Sequence, residues 1–192
     1  LDGEEVSIEG KIEDFKRELD FEDGVSCRSY KYVTKIGRIA EICFKQLVSF
    51  TYKELRSWTL NIIYDGEIQI INKIDFNISN MSSKDDPRIA PTQMTLVEVV
   101  DSNYESNEGE ILLETIRSGL KVRMNFRDEG EFDTSSVRAN EGLEICFSSY
   151  GKLEINRMVK YWDSIRNING TFISIEKLFE EQGLLMTDLT SN

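Results

Sequence analysis

The chain contains no histidine. That removes Ser-His-Asp and Cys-His nucleophilic catalysis, imidazole acid–base work near neutral pH, and zinc sites with a His ligand. Carboxylates are the main remaining source of chemistry. There are 35 Asp and Glu against 23 Lys and Arg, giving a formal charge of −12. One spacing approaches a metal-dependent nuclease pattern: Asp85-Asp86-Pro87, followed by Glu98-Val99-Val100. That chemistry needs acids to hold a hard divalent cation and a nearby lysine to align the attacking water. Val100 stands where the lysine would be. Neither a Gly-rich phosphate loop nor the EF-hand spacing occurs. The acids read mostly as solvated surface, and no metal or cofactor is expected.

Aromatic and basic side chains offer a different chemistry, that of binding. Trp58, Tyr150 and Trp162 are candidates for stacking on a cationic methylated guanine, with a nearby carboxylate accepting hydrogen bonds from the base edge. Trp162 also has a plainer reading, as a core residue at helical spacing from Met158 and Ile165. Lys31, Lys35, Arg38 and Lys45 are candidates for RNA phosphates. They lie in a locally basic stretch: residues 24–60 hold seven bases and two acids, whereas residues 1–23 hold ten acids and three bases. A solvated face would give the same pattern, and both readings stand.

The elements that must position these residues follow from periodicity. Ile8, Ile12, Phe15 and Leu19 predict a short amphipathic helix near 8–20, ended by Gly24. From Ser29 to Arg56, apolar residues at spacings of three and four predict a long helix that tolerates Gly37. After Trp58 the period changes. Residues 59–64 and 67–71 predict a hairpin joined by Asp65-Gly66, and 73–78, 94–100, 120–126 and 143–148 predict further strands. Residues 109–118 suit a short helix stopped by Gly119, and Asp101–Gly109 an exposed loop. Ser149–Lys152 reads as a turn. Ile155, Met158, Val159, Trp162 and Ile165 predict a helix, with a second over 175–182. The polar stretch 77–91, with both prolines, reads as the one long loop. The fold class expected is α+β. A helical N-terminal part, residues 1–57, packs on a mainly antiparallel or mixed sheet with a C-terminal helix pair, residues 58–192.

This layout resembles the C-terminal region of the large polymerase (L protein) of segmented negative-strand RNA viruses of the arenavirus and bunyavirus type. The residues that carry the resemblance are the lead Ser29–Arg56, the strand Leu120–Phe126 and the hairpin-like Leu143–Phe147 with Lys152–Asn156. The helix Met158–Arg166 and the closing Ile175–Glu181 complete it. The resemblance implies a small cap-binding-like module of an RNA-dependent RNA polymerase. Such a module is not itself catalytic. It binds capped or single-stranded RNA in support of cap-snatching transcription, with the rest of the polymerase chain as its partner.

A viral matrix-like or host-interaction domain acting through protein contacts is the alternative, and an enzyme is the third class. Cys27, Cys43 and Cys146 cannot all pair within the chain; in apolar surroundings they read as buried free thiols of a reducing, intracellular compartment, here the host cytoplasm. No apolar run reaches the length that spans a membrane. The first residue is Leu1, so a fragment or processed product is expected. At 192 residues, such a chain buries about 70% of its unfolded surface and needs no disulfide to fold.

Overall fold

A computed structural model describes residues 1–7, 9–21, 24–49, 52–75, 97–139 and 142–163. Among them there is no helix. Nine strands occur: β1 (Lys11–Asp20), β2 (Val25–Val33), β3 (Ile39–Val48), β4 (Leu55–Asp75), β5 (Val97–Glu105), β6 (Glu108–Thr115), β7 (Lys121–Glu129), β8 (Asp133–Ala139) and β9 (Gly142–Asp163). They form one antiparallel sheet in the order β1-β2-β3-β4-β9-β7-β6-β5, with β8 also paired to β9. The α+β expectation, with its helical lead and C-terminal helix pair, is therefore corrected to all-β. The helix over 175–182, the loop over 77–91 and the Asp85-Asp86 pair lie outside the described residues.

The two longest strands organise the rest. β4 has 21 residues and β9 has 22, and they pair along their length. β9 carries β8 and then β7 along its other edge. The pairing slips between Ile63 and Glu67, opposite Tyr150–Lys152. There Tyr64, Asp65 and Gly66 face Gly151 alone, which has a φ of 80°. This bulge bends the ribbon. Arg157, opposite Trp58, also hydrogen-bonds Asn72 further along β4. Fourteen residues of straight strand would hold those positions ~45 Å apart. The far half of the ribbon must fold back over the sheet. Ser102 on β5 accordingly reaches the carbonyl of Gly142, at the start of β9. Between the layers lies the main core, with Ile62, Tyr64, Ile68, Ile111, Phe126, Ile145, Phe147, Leu153 and Ile155 all buried.

Each helix expectation that falls on described residues fails for an identifiable reason. β3 buries Ala40 and Ile42 in the main core and Leu47 in a second cluster with Val25, Leu55 and Met158. Two interleaved period-two patterns then imitate a spacing of three and four. β9 behaves likewise, with Ile155 and Val159 in the main core and Met158 in the second cluster. In β1 an irregularity between Glu13 and Lys16 stretches the alternation, so Ile12 and Phe15 look helical. Residues 109–118 form β6, burying Ile111 and Leu113, and then a turn.

The glycines expected to end helices, Gly24 and Gly119, and Gly37, expected within one, sit in hairpin turns instead. Gly24, Gly37 and Gly119 have φ values of 64°, 83° and 64°. The expected Asp101–Gly109 loop is the β5–β6 hairpin, turning at Ser106 and Asn107 with φ of 53° and 63°, the primed geometry of tight hairpins. The Asp65-Gly66 hairpin turn is the bulge of β4. The strands expected at 120–126 and 143–148 are present within β7 and β9.

Candidate functional site

Trp58 lies half-buried on the inner face of β4, its ring 5.9 Å from that of Phe44. The two border a groove of about 480 Å³. Its floor is the buried Arg157 guanidinium, 5.2 Å from the Trp58 ring centre and 4.5 Å from that of Phe126. Arg157 donates from Nε to Asp128 Oδ1 at 2.6 Å and from Nη2 to Asp128 Oδ2 at 2.7 Å. Its Nη1 donates to Asn72 Oδ1. Tyr104 donates its hydroxyl to Asp128 Oδ2 at 3.0 Å. Burial, and then the Asp128 charge, push the Tyr104 phenol well above its ordinary range. The guanidinium is thus held by β7 and both halves of β4, which suits a structural clamp across the layers.

The other sequence candidates are dispersed. Tyr150 is 75% exposed at the bulge. Nine residues of β4 separate its partner Glu67 from Trp58, roughly 25–30 Å of strand. Trp162 lies near the end of β9, opposite Arg123; its side chain is outside those described. These three aromatics do not form one stacking site. The basic set is divided as well. Lys31 is on β2, Lys35 and Arg38 are in the β2–β3 turn, and Lys45 is on β3.

The acidic first residues partly neutralise this basic stretch. Lys31 Nζ donates to Asp14 Oδ2 at 2.8 Å. Arg38 Nη1 donates to Asp2 Oδ2 at 3.1 Å and to the Asp65 carbonyl at 2.8 Å. The Lys35 backbone N–H donates to Glu4 Oε2. The opposed charges of residues 1–23 and 24–60 therefore meet within the fold.

Asp2 carries the densest polar junction that the sequence reading missed. It accepts the Tyr64 hydroxyl at 2.7 Å and the Glu67 backbone N–H at 2.8 Å. The Tyr64 hydrogen bond first, then that of Glu67 and the Arg38 charge, lower its carboxyl pKa. Leu1 beside it is buried in the main core, so these contacts fasten the first residues to the β4 bulge. The usable signal was Asp65-Gly66 itself: a Cβ on Gly66 would come within 2.6 Å of both Asp2 Oδ1 and the Tyr64 ring.

A second, polar pocket of about 1030 Å³ opens on the outer face of β1–β4. Its floor includes the row Ser29, Cys43, Asn61 and Glu154, neighbours across β2, β3, β4 and β9. Cys27 and Cys43 place their sulfurs 3.8 Å apart on this face, and all three cysteines are free and half-buried. Among the described residues, no group of three or more His, Cys, Asp or Glu could hold a metal ion. No helix among them is long and apolar enough to cross a membrane.

The fold and these sites define an all-β module built on two long shared strands, with polar groups committed mainly to one another. The family described as glycosyl hydrolase family 65, N-terminal domain, matches residues 1–161. The chain belongs to that family. It is 24% identical over 177 residues to an alpha,alpha-trehalose phosphorylase of Thermoanaerobacter brockii, an alignment covering 85% of this chain and 23% of the relative. It is 25% identical over 171 residues to the alpha,alpha-trehalose phosphorylase of Geobacillus stearothermophilus, covering 83% and 22%. A solved structure named "Putative kojibiose phosphorylase from human microbiome" shares the fold, with a TM-score of 0.72 at 16% identity, over 93% of this chain and 25% of that one. The chain spans about a quarter of the length of these relatives.

This membership overturns the resemblance to a viral L protein. The RNA-dependent RNA polymerase module, capped or single-stranded RNA, cap-snatching and a polymerase partner go with it. The viral matrix-like or host-interaction alternative has no support either. The likeness rested in part on helices over Ser29–Arg56 and Met158–Arg166, where the described residues form strands instead.

Proposed function

We propose that this chain is the non-catalytic N-terminal part of a larger glycoside phosphorylase. In that protein, residues beyond β9 supply the acid and the sugar–phosphate geometry for cleaving an α-linked disaccharide with inorganic phosphate. The observation that carries this reading is the family match across residues 1–161, together with two relatives named as trehalose phosphorylases. Three of the chain's carboxylates point the same way. Glycosidic cleavage needs a general acid whose pKa is raised. Asp2, Asp14 and Glu154 are instead all lowered, chiefly by hydrogen bonds from Tyr64, Lys31 and Lys152 respectively.

The test is phosphorolysis by the full-length protein, with amide replacements made in this chain. Asp2→Asn, Asp101→Asn and Glu110→Gln should each leave kcat within ~threefold of wild type, whereas loss of a general acid costs ~10²–10⁴. A loss of that size from any one of them would overturn the assignment of catalysis to another part of the protein.

A further inference from the structure

The groove beside Trp58 is not used by the reading above. Its floor is one face of the sheet. Val48, Arg56 and Val159 form one row across β3, β4 and β9, and Gln46, Trp58 and Arg157 form the next. Phe44 is two residues from Gln46 on β3, and Tyr161 two residues from Val159 on β9, so both share that face. The roof is the far half of β4. The hydrogen bond from Arg157 to Asn72 holds it there, with Ile70 and Ile74 on the same side of the strand as Asn72.

Three features restrict what can enter. First, the walls are aromatic and open. Tyr161 is 43% exposed, and Phe44 and Trp58 are half-buried. Second, the charge is one-sided. Among the described residues that line the groove there is no Asp or Glu, although the chain has 35 of them. Three cations line it. Asp128 neutralises Arg157, and Glu144 neutralises Lys73, which lies on the opposite side of its strand from Asn72. Arg56 is not neutralised. It is exposed, donates from Nη2 to the uncharged Gln46 Oε1 at 3.1 Å, and meets no carboxylate among the described residues. Third, Asn72 accepts Arg157 with its oxygen, which leaves its amide N–H groups to donate.

Each feature selects for a ligand property. An uncompensated guanidinium calls for an anion, and its fork of donors suits phosphate. Aromatic walls call for an apolar face, which a pyranose ring supplies through its C–H groups. Arg56 and Trp58 are two residues apart on one strand, roughly 7 Å, so one small molecule can meet both. The volume of about 480 Å³ lies within the range of small-molecule sites.

We infer that this groove binds a hexose phosphate, with the phosphate on Arg56 and the sugar ring against Trp58 and Tyr161. The choice of a hexose phosphate over other anions with an apolar face rests on the reading of the whole protein as a glycoside phosphorylase, which releases one. The site is separate from catalysis, which that reading places beyond β9.

The experiment uses the full-length protein that carries this chain. Binding of glucose 1-phosphate is followed by isothermal titration calorimetry, for wild type, Arg56→Glu and Tyr161→Ala. Glucose and inorganic phosphate are titrated separately. Arg56 is exposed, so Arg56→Glu keeps the test valid if Tyr161→Ala does not fold. The expected result is a binding phase that each substitution weakens ~tenfold or more, and that glucose or phosphate alone fills at least ~tenfold more weakly. A wild-type protein with no phase responding to Arg56→Glu overturns the site, as does a phase that a folded Tyr161→Ala leaves unchanged. A phase filled as tightly by phosphate alone overturns it too, since the sugar then contributes nothing, and so does one filled as tightly by glucose alone. Phosphorolysis by the wild-type protein is measured alongside. Activity without the responsive phase removes this site and leaves the phosphorylase reading standing. The responsive phase without activity does the reverse.

Discussion

Replacing Asp128 with alanine should be among the most damaging single changes in this chain. The side chains of Arg157 and Asp128 are 3% and 0% exposed. The substitution removes two charge-assisted hydrogen bonds, at 2.6 and 2.7 Å, and leaves the guanidinium to Asn72 and to the faces of Trp58, Phe126 and Phe147. Breaking a buried pair from one side costs ~3–5 kcal/mol, because the remaining charge is uncompensated. Tyr104 also loses its acceptor, worth ~1 kcal/mol net. The groups form one network, so the two figures do not simply add, and ~4 kcal/mol is the expected total. That is a third or more of the stability of a typical small domain.

Urea unfolding followed by tryptophan fluorescence is a suitable assay, since Trp58 lies over the guanidinium. With a slope of ~2 kcal/mol per molar urea, the midpoint should fall by ~2 M. The double variant Asp128→Leu with Arg157→Met should recover most of that loss, because apolar replacement of both partners is often neutral or better. A loss below ~1 kcal/mol in Asp128→Ala, or a double variant no better than the single, would refute the clamp.

Four further outcomes follow from the geometry. Gly66→Ala should lower the thermal midpoint, by ~1–3 kcal/mol of overpacking, because its Cβ meets Asp2 and Tyr64 at 2.6 Å. Ser57→Ala should be neutral to stabilising by ~1 kcal/mol in the same melt, since the Ser57 Oγ is fully buried without a partner. Asp2 has a folded-state pKa below its ordinary 3.8, so its contribution is present above that value and is lost as pH falls through the folded one; Asp2→Asn should flatten the acid limb of a stability–pH profile. Tyr104 is shifted the other way, so its contribution is present below the ordinary 10.0 and lost as pH rises towards the folded value; Tyr104→Phe should make the alkaline limb shallower.

Strands were legible in the sequence where one face alone is covered. Leu120, Val122, Met124 and Phe126 alternate with polar residues, and β7 is a strand. The pattern misled where both faces carry apolar contacts. Met158 and Val159 are adjacent in sequence yet belong to different clusters on opposite sides of β9. Ile42 and Leu47 do the same on β3. Periodicity cannot distinguish that case from one broad helical stripe. Asp65-Gly66 was read as a hairpin turn, whereas β4 runs on through it as a bulge that Asp2, from the N-terminus, fastens. That contact spans over sixty residues, and no local rule reports it. The charge segregation was real in the sequence. Its opposite halves meet through Asp14–Lys31 and Asp2–Arg38.

The central claim is that this chain is the N-terminal part of a phosphate-dependent glycoside enzyme. Its most direct test is ³¹P NMR of the full-length protein incubated with inorganic phosphate and trehalose, and separately with kojibiose. The account predicts a glucose 1-phosphate signal that grows with time from at least one disaccharide and requires phosphate. Release of glucose alone at a rate indifferent to phosphate, or no reaction with either sugar, would contradict it.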